Sequence, residues 1–239
     1  MILALAAVYV VLDWARLCSP AGQLALSPIS NALKLATSFL ATGIAWSIGK
    51  DELEPGDARQ FRLCFALSFI ADVCFVVGVA PAGILLFAGF QVLLSRRSLR
   101  GARAAWRTRR LPRGRLAMLG TGVLAVTATY LTLLVPHIED PVLVIAIPIY
   151  AMLLCGSVIS AWTATWIGRL PAANALLAAI GMTLFYCCDL TVGVNLVLDP
   201  TLRPQIWSTS LTWMFYAPAL VCIALSGYRA EHPVQGAPA

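Results

Sequence analysis

Charged residues are scarce in this sequence: they make up 12% of its 239 residues, whereas 60% of the residues are hydrophobic. An average soluble domain contains about 25% charged residues. The mean hydropathy of +0.83 points the same way. This composition excludes a soluble globular enzyme, a disordered chain and a nucleic-acid-binding domain, and it leaves a polytopic membrane protein.

Patterns of soft metal ligands are also missing. The two histidines, His137 and His232, lie in a predicted loop and in the C-terminal tail, and there is no Cys-x-x-Cys motif. Six of the seven cysteines lie within apolar runs, where they act as small buried hydrophobic residues. A zinc site would need Cys or His ligands at paired spacing. The sequence therefore predicts no metal and no cofactor, although carboxylates alone can hold a hard cation.

Apolar segments recur along the whole chain. A membrane-spanning helix needs about 20 apolar residues, so a chain of this length with short loops has room for about eight. The predicted bounds are 1–17, 28–48, 61–79, 81–95, 116–135, 141–166, 171–198 and 205–228. The sequence thus predicts an all-α polytopic membrane helix bundle with about eight transmembrane helices. A single domain covers residues 1–229, followed by a short polar tail over 230–239.

The basic residues are concentrated in one loop. Nine of the seventeen lysines and arginines lie between Arg96 and Arg115, with no acidic residue among them. Loops rich in lysine and arginine stay in the cytoplasm, so this loop is predicted to face inward. With eight helices, both termini then also face the cytoplasm. We expect a multi-pass protein of the cell membrane.

Four ionisable residues fall inside the apolar segments: Asp13, Lys34, Asp72 and Asp189. A charged side chain at the centre of a membrane helix costs about 2.5–3.5 kcal/mol on insertion scales, so such residues are rare and informative. Asp13 is near a helix end and can reach the interface or pair with Arg16. Lys34 can extend its ammonium group to the interface or serve a site; both interpretations stay open.

Asp72 and Asp189 are placed differently. Counted from the predicted helix ends, each lies ~13–15 Å below the same membrane face. Their helices run in the same direction, so the two carboxyl groups can meet if these helices are neighbours. The alternative is that both are structural acids that hold the bundle together through hydrogen bonds. Because carboxyl groups within a membrane are functional by default, a functional role is favoured.

Other polar residues accompany these two aspartates. Ser68 lies four residues before Asp72, on the same helix face, and Tyr186 lies three residues before Asp189. Asn195 is in the same segment as Asp189, and Tyr150 is in the preceding one. Hydrogen bonding between helices is the alternative role for each of them. No GxSxG motif and no serine–histidine pair supports hydrolysis by a serine nucleophile.

Several of these segments together resemble the YhhN-type lysoplasmalogenase family of eight-helix membrane proteins. The similarity lies in PISNALK at 28–34, LSFIAD at 67–72, Tyr150-Ala151, and GMTLFYCCD at 181–189. The chain departs from the family pattern at four positions, which are Leu35, Ala71, Gln91 and Cys188.

The resemblance implies hydrolysis of the vinyl ether bond of lysoplasmalogens to a fatty aldehyde and a glycerophospho-base. For this reaction we expect Asp72 to be the proton donor and Asp189 the base that activates water, with the reverse assignment left open. Lys34, Ser68, Tyr150, Tyr186 and Asn195 are the expected substrate-binding residues. The partners would be a lysophospholipid substrate and the lipid bilayer, with no nucleic acid; the oligomeric state stays open.

Two other functions fit the same residues. A small proton-coupled transporter would use the two aspartates as coupling sites. A non-catalytic scaffold would use the arginine-rich loop to bind anionic lipid or a partner, for which Leu99, Ala102 and Trp106 have helical spacing. Turnover of a lysoplasmalogen by the purified protein separates the enzyme from both alternatives.

Overall fold

The computed structural model describes residues 1–2, 4, 7–8, 11, 27–49, 52–53, 55–107, 112–168, 170–197 and 209–229. Most of the first predicted helix, 1–17, lies outside the described residues, and so does the predicted polar tail, 230–239. Asp13 and Arg16 are therefore not part of the following description.

Within the described residues the chain is helical. The α-helices are α1 (Ser27–Trp46), α2 (Asp57–Val76), α3 (Ala80–Ser98), α4 (Ala102–Arg107), α5 (Arg113–Leu134), α6 (Pro141–Trp166), α7 (Ala172–Val197) and α8 (Thr209–Leu225). One 3₁₀ turn, Val135–His137, follows α5. Seven of these eight helices are long, and α4 has six residues.

Most helix boundaries fall near their predicted positions, and α6 has the predicted bounds. Pro141 occupies the first turn of α6, where no backbone N–H is needed, and the Asp140 carboxylate accepts a hydrogen bond from the Val142 N–H at 2.8 Å. The largest differences are in α2, which begins before Phe61 and ends before Val79. Its end is set by Gly78, whose φ of 82° breaks the helix.

Six of the long helices form a closed ring. Around the ring, α1 packs on α2, α2 on α3, α3 on α6, α6 on α7, α7 on α8, and α8 returns to α1. Helix α5 lies outside the ring against α6 and α7. We call the end where α3 finishes and α5 begins the arginine end, and the opposite end, where α2 and α7 finish, the cavity end.

Three described helices are long and apolar enough to cross a membrane: Arg113–His137, Pro141–Trp166 and Ala172–Val197. The apolar stretch Leu211–Leu225 is shorter. Large hydrophobic side chains also point away from the bundle; Leu85 is 74% exposed and Met118 75%. An apolar outer surface around a helical bundle is the arrangement that lipid requires. The fold is therefore an all-α membrane helix bundle, as predicted.

The arginine end contains a buried ion-pair network. Arg97 and Asp57 are both buried and joined at 3.0 Å, and Arg100 binds the same carboxylate at 2.8 Å. Arg97 also lies 4.6 Å from the centre of the Phe61 ring and donates a hydrogen bond to the Ser226 carbonyl. Two arginines of the predicted arginine-rich loop thus link α2, α3 and the end of α8. These two arginines therefore have a structural role.

We predict that Asp57→Ala lowers the free energy of unfolding by about 3–5 kcal/mol, because it leaves the Arg97 guanidinium buried without its anion. The measurement is a denaturation series in detergent. The exposed Arg59 is two residues away, and Arg59→Ala is the matched control, with an effect within about 0.5 kcal/mol. Equal stability of the two variants would contradict this role for the network.

Candidate active site

A cavity of about 430 Å³ lies inside the ring, in the half of the bundle near the cavity end. Its walls are mainly apolar, and Asp72 and Asp189 are the carboxylates that line it. Helices α2 and α7 are not adjacent in the ring, so the two aspartates approach the cavity from different sides. The sequence prediction needed these helices to be neighbours. The ring brings the two side chains to one cavity although the helices are not adjacent in it.

The distances of the two aspartates from their helix ends differ from the sequence estimate. Asp72 lies four residues before Val76, the end of α2, which corresponds to roughly 6 Å along the helix. Asp189 lies eight residues before Val197, the end of α7, or roughly 12 Å. The sequence estimate gave the two aspartates equal distances because it extended α2 past Gly78.

Asp72 accepts a short hydrogen bond from a tyrosine. The Tyr216 hydroxyl, on α8, donates to Asp72 Oδ2 at 2.6 Å, and the Ser68 hydroxyl lies 3.2 Å from the same Tyr216 oxygen. Helix α1 brings Ser38 and Lys34 to the other side of this carboxyl group. Asp72 therefore has hydroxyl donors on α8 and α1 and a nearby cation.

Asp189 has a similar partner on a different helix. The Tyr150 hydroxyl, on α6, donates to Asp189 Oδ2 at 2.5 Å. Gln91 of α3 lies beside Tyr150 and is fully buried. Asp72 is close enough to Asp189 to interact with it electrostatically. Since removal from water and a nearby like charge both disfavour full ionisation, the two carboxyl groups can hold one proton between them.

Six of the seven predicted site residues line the cavity: Lys34, Asp72, Tyr150, Tyr186, Asp189 and Asn195. Ser68 does not line it, because its hydroxyl is turned to Tyr216. The Tyr186 hydroxyl is engaged by Thr127 at 2.7 Å, and this bond joins α7 to α5. The Asn195 amide donates to the Thr212 hydroxyl at 3.4 Å.

Two cavity tyrosines are absent from the predicted site. Tyr216 lies in an apolar segment, and nothing in the sequence pairs it with Asp72. Nothing in the sequence around Tyr130 of α5 marks it as a cavity residue. The one related feature is Gly193, four residues after Asp189, because a glycine there leaves room for a side chain from another helix. Among the described residues, no group of three or more His, Cys, Asp or Glu is arranged to hold a metal ion.

A family model described as the YhhN family matches residues 29–227 of this chain. The match covers every described long helix apart from the first residues of α1. No curated protein matches the chain, and no solved structure matches it.

We predict that Gln91→Met stabilises the protein. The Gln91 amide lies close to the Tyr150 hydroxyl, but neither of its atoms makes a hydrogen bond of good geometry with a described residue, and an unsatisfied buried polar group costs about 1–3 kcal/mol. Methionine has a similar shape without that penalty, so the melting temperature in detergent should rise. The matched control is Gln60→Met, which should lower it, because the Gln60 amide donates to the Leu93 carbonyl. A lower melting temperature for Gln91→Met would show that this amide is satisfied.

Proposed function

The chain belongs to the YhhN family, and from that premise we propose that it is a membrane-embedded hydrolase that cleaves the vinyl ether bond of lysoplasmalogens. The products are a fatty aldehyde and a glycerophospho-base. The observation that carries the proposal is that Asp72 and Asp189 line one largely apolar cavity, each with a tyrosine hydroxyl on its carboxyl group. Two carboxyl groups are sufficient for acid–base hydrolysis of this kind.

The reaction begins with a proton transfer to the alkene carbon that is not bonded to the ether oxygen. The π electrons form the new C–H bond, and the positive charge is shared by the other carbon and the ether oxygen. Water adds to that charged carbon and loses a proton to the second carboxyl group, which gives a hemiacetal. The hemiacetal hydroxyl then loses its proton, its oxygen forms the carbonyl as the bond from this carbon to the glycerol oxygen breaks, and the glycerol oxygen takes a proton, so the aldehyde is released.

The neighbours of the two carboxyl groups suggest how the roles divide. A cation and hydrogen-bond donors favour the ionised form of a carboxyl group. Asp72 has Lys34, Tyr216 and Ser38 around it, whereas the groups that act on Asp189 are Tyr150 and the negative charge of Asp72. We assign Asp189 as the proton donor and Asp72 as the base. This is the reverse of the assignment expected from the sequence.

The cavity has features that suit a single-chain phospholipid. Lys34 and Asn31 are on the first two turns of α1, so they lie toward the cavity end, where a phosphate would sit near the membrane surface. Apolar side chains of α3 and α6, including Phe87 and Ile147, provide the surface for the hydrocarbon chain. With the arginine end in the cytoplasm, as the sequence predicts, the cavity end lies in the outer half of the membrane. A lipid would then enter the cavity from that half.

The alternative of a transporter needs a path to both ends of the ring. Below the cavity, Phe65, Phe90 and Phe185 are fully buried, with the Phe90 and Phe185 rings 5.2 Å apart. The ion-pair network of Asp57 and Arg97 follows at the arginine end. These layers close the arginine end in this conformation, which suits a hydrolase, whereas a transporter would have to open them in a second conformation.

We predict that Asp72→Asn and Asp189→Asn each lower turnover of a lyso vinyl-ether lipid by about 10²–10⁴-fold, because asparagine keeps the shape but cannot transfer a proton. If the pair acts as a unit, the double variant should be scarcely slower than either single variant. The measurement is activity per folded molecule in detergent, with a thermal melt of each variant beside it.

The matched control is Asp140→Asn, at the exposed N-cap of α6. Asparagine caps a helix about as well as aspartate, so this variant should keep both activity and stability. Near-normal activity of folded Asp189→Asn protein would contradict the two-aspartate mechanism. Normal activity with a lower melting temperature would assign the aspartates a structural role.

A further inference from the structure

Tyr130 reaches the cavity from outside the ring. It belongs to α5, which packs against α6 and α7, and its side chain forms part of the cavity wall. Its hydroxyl lies directly over Gly193 of α7, where a β-carbon would overlap the hydroxyl oxygen and come within 3.2 Å of the ring carbon that bears it. A glycine at this position is therefore what allows the phenol to enter the cavity.

The position of Gly193 places this phenol relative to Asp189. The two residues are four apart in α7, so they lie on the same helix face, with about 6 Å between them along the axis. Gly193 is the one nearer the cavity end. The Tyr130 hydroxyl thus lies one helical turn from Asp189, on the side of the proposed phosphate position.

The hydroxyl groups of the other three cavity tyrosines already have partners. Tyr150 and Tyr216 donate to the two carboxyl groups, and Tyr186 is bonded to Thr127. Asp189 and Tyr186 are close enough to Tyr130 to interact with it electrostatically. The Tyr130 hydroxyl makes no hydrogen bond with a described residue. The Tyr130 hydroxyl is therefore the one among these four that lies at the cavity wall with no hydrogen-bond partner among the described residues.

We propose that the Tyr130 hydroxyl, held over Gly193, donates a hydrogen bond to the free glycerol hydroxyl of a lysolipid and is therefore a specificity-determining residue. This inference rests on the proposed function, because that function places the ether oxygen of the lipid beside the two aspartates. The free hydroxyl is on the carbon next to the one bonded to the ether oxygen. If the phosphate of the lipid points toward Lys34, the free hydroxyl lies one glycerol carbon nearer the cavity end than the ether oxygen does. This is the level of Tyr130.

Binding of a lipid that cannot be cleaved tests this inference separately from catalysis. The probe is a lysophospholipid with a saturated alkyl ether chain, compared with its analogue in which hydrogen replaces the free glycerol hydroxyl. The wild-type protein should bind the hydroxyl lipid roughly three- to tenfold more tightly, the effect of one hydrogen bond. Tyr130→Phe removes only the donor, so it should bind the two lipids with equal dissociation constants.

Gly193→Ala provides a second variant with the same expected result, because the added methyl group displaces the phenol. Its matched control is Gly156→Ala in α6, where a β-carbon meets no atom within 4 Å, so discrimination should be kept. A thermal melt confirms that each variant is folded. If Gly193→Ala does not fold, Tyr130→Phe decides the question by itself.

The inference would be overturned if Tyr130→Phe still bound the hydroxyl lipid more tightly than its analogue. It would also be overturned if the wild-type protein bound the two lipids equally well. Turnover of the vinyl ether lipid is scored independently. A protein that discriminates the two probes but cleaves no vinyl ether would refute the proposed function and keep the role of Tyr130. A protein that cleaves the vinyl ether but does not distinguish the probes would refute the role of Tyr130 alone.

Discussion

The cost of a carboxyl group in hydrocarbon is the constraint on which this structure depends. Neither Asp72 nor Asp189 can face lipid without losing several kcal/mol of hydration, so both must turn inward and find donors there. A closed ring of helices provides the interior, and tyrosines on two further helices provide the donors, at 2.6 and 2.5 Å. Four helices are thus joined through the two acids, and the same arrangement prepares both groups for proton transfer.

The two halves of the bundle have different tasks. At the arginine end, the ion pair of Asp57 with Arg97 and the buried aromatic rings fill the ring and hold its helices together. At the cavity end, the ring stays open enough for about 430 Å³ of space. Because the filled half supplies most of the packing, the other half can keep polar groups beside a cavity, where they are positioned for chemistry.

The sequence predicts the helices well and draws attention to the two aspartates that line the cavity, because both follow from local properties. Apolar length and proline positions define α6 and α7, and the scarcity of charges makes Asp72 and Asp189 conspicuous. The order of helices around the ring is not local, so the partners of the aspartates could not be predicted. The same reason explains why Ser68 was placed in the cavity and why the pairing of Arg97 with Asp57 was not foreseen. The predicted end of α2 was wrong for a local reason, since the break at Gly78 shortens this helix.

The central claim is that a carboxyl group of this site delivers a proton to a carbon atom of the substrate. The most direct test is turnover of a lyso vinyl-ether lipid in D₂O, with the aldehyde reduced at once to its alcohol and analysed by mass spectrometry. Enzyme-free substrate and authentic aldehyde, treated in the same way, are the controls for chemical exchange. The account predicts one deuterium on the carbon next to the aldehyde carbon in every product molecule. Cleavage that leaves this carbon without deuterium would contradict it.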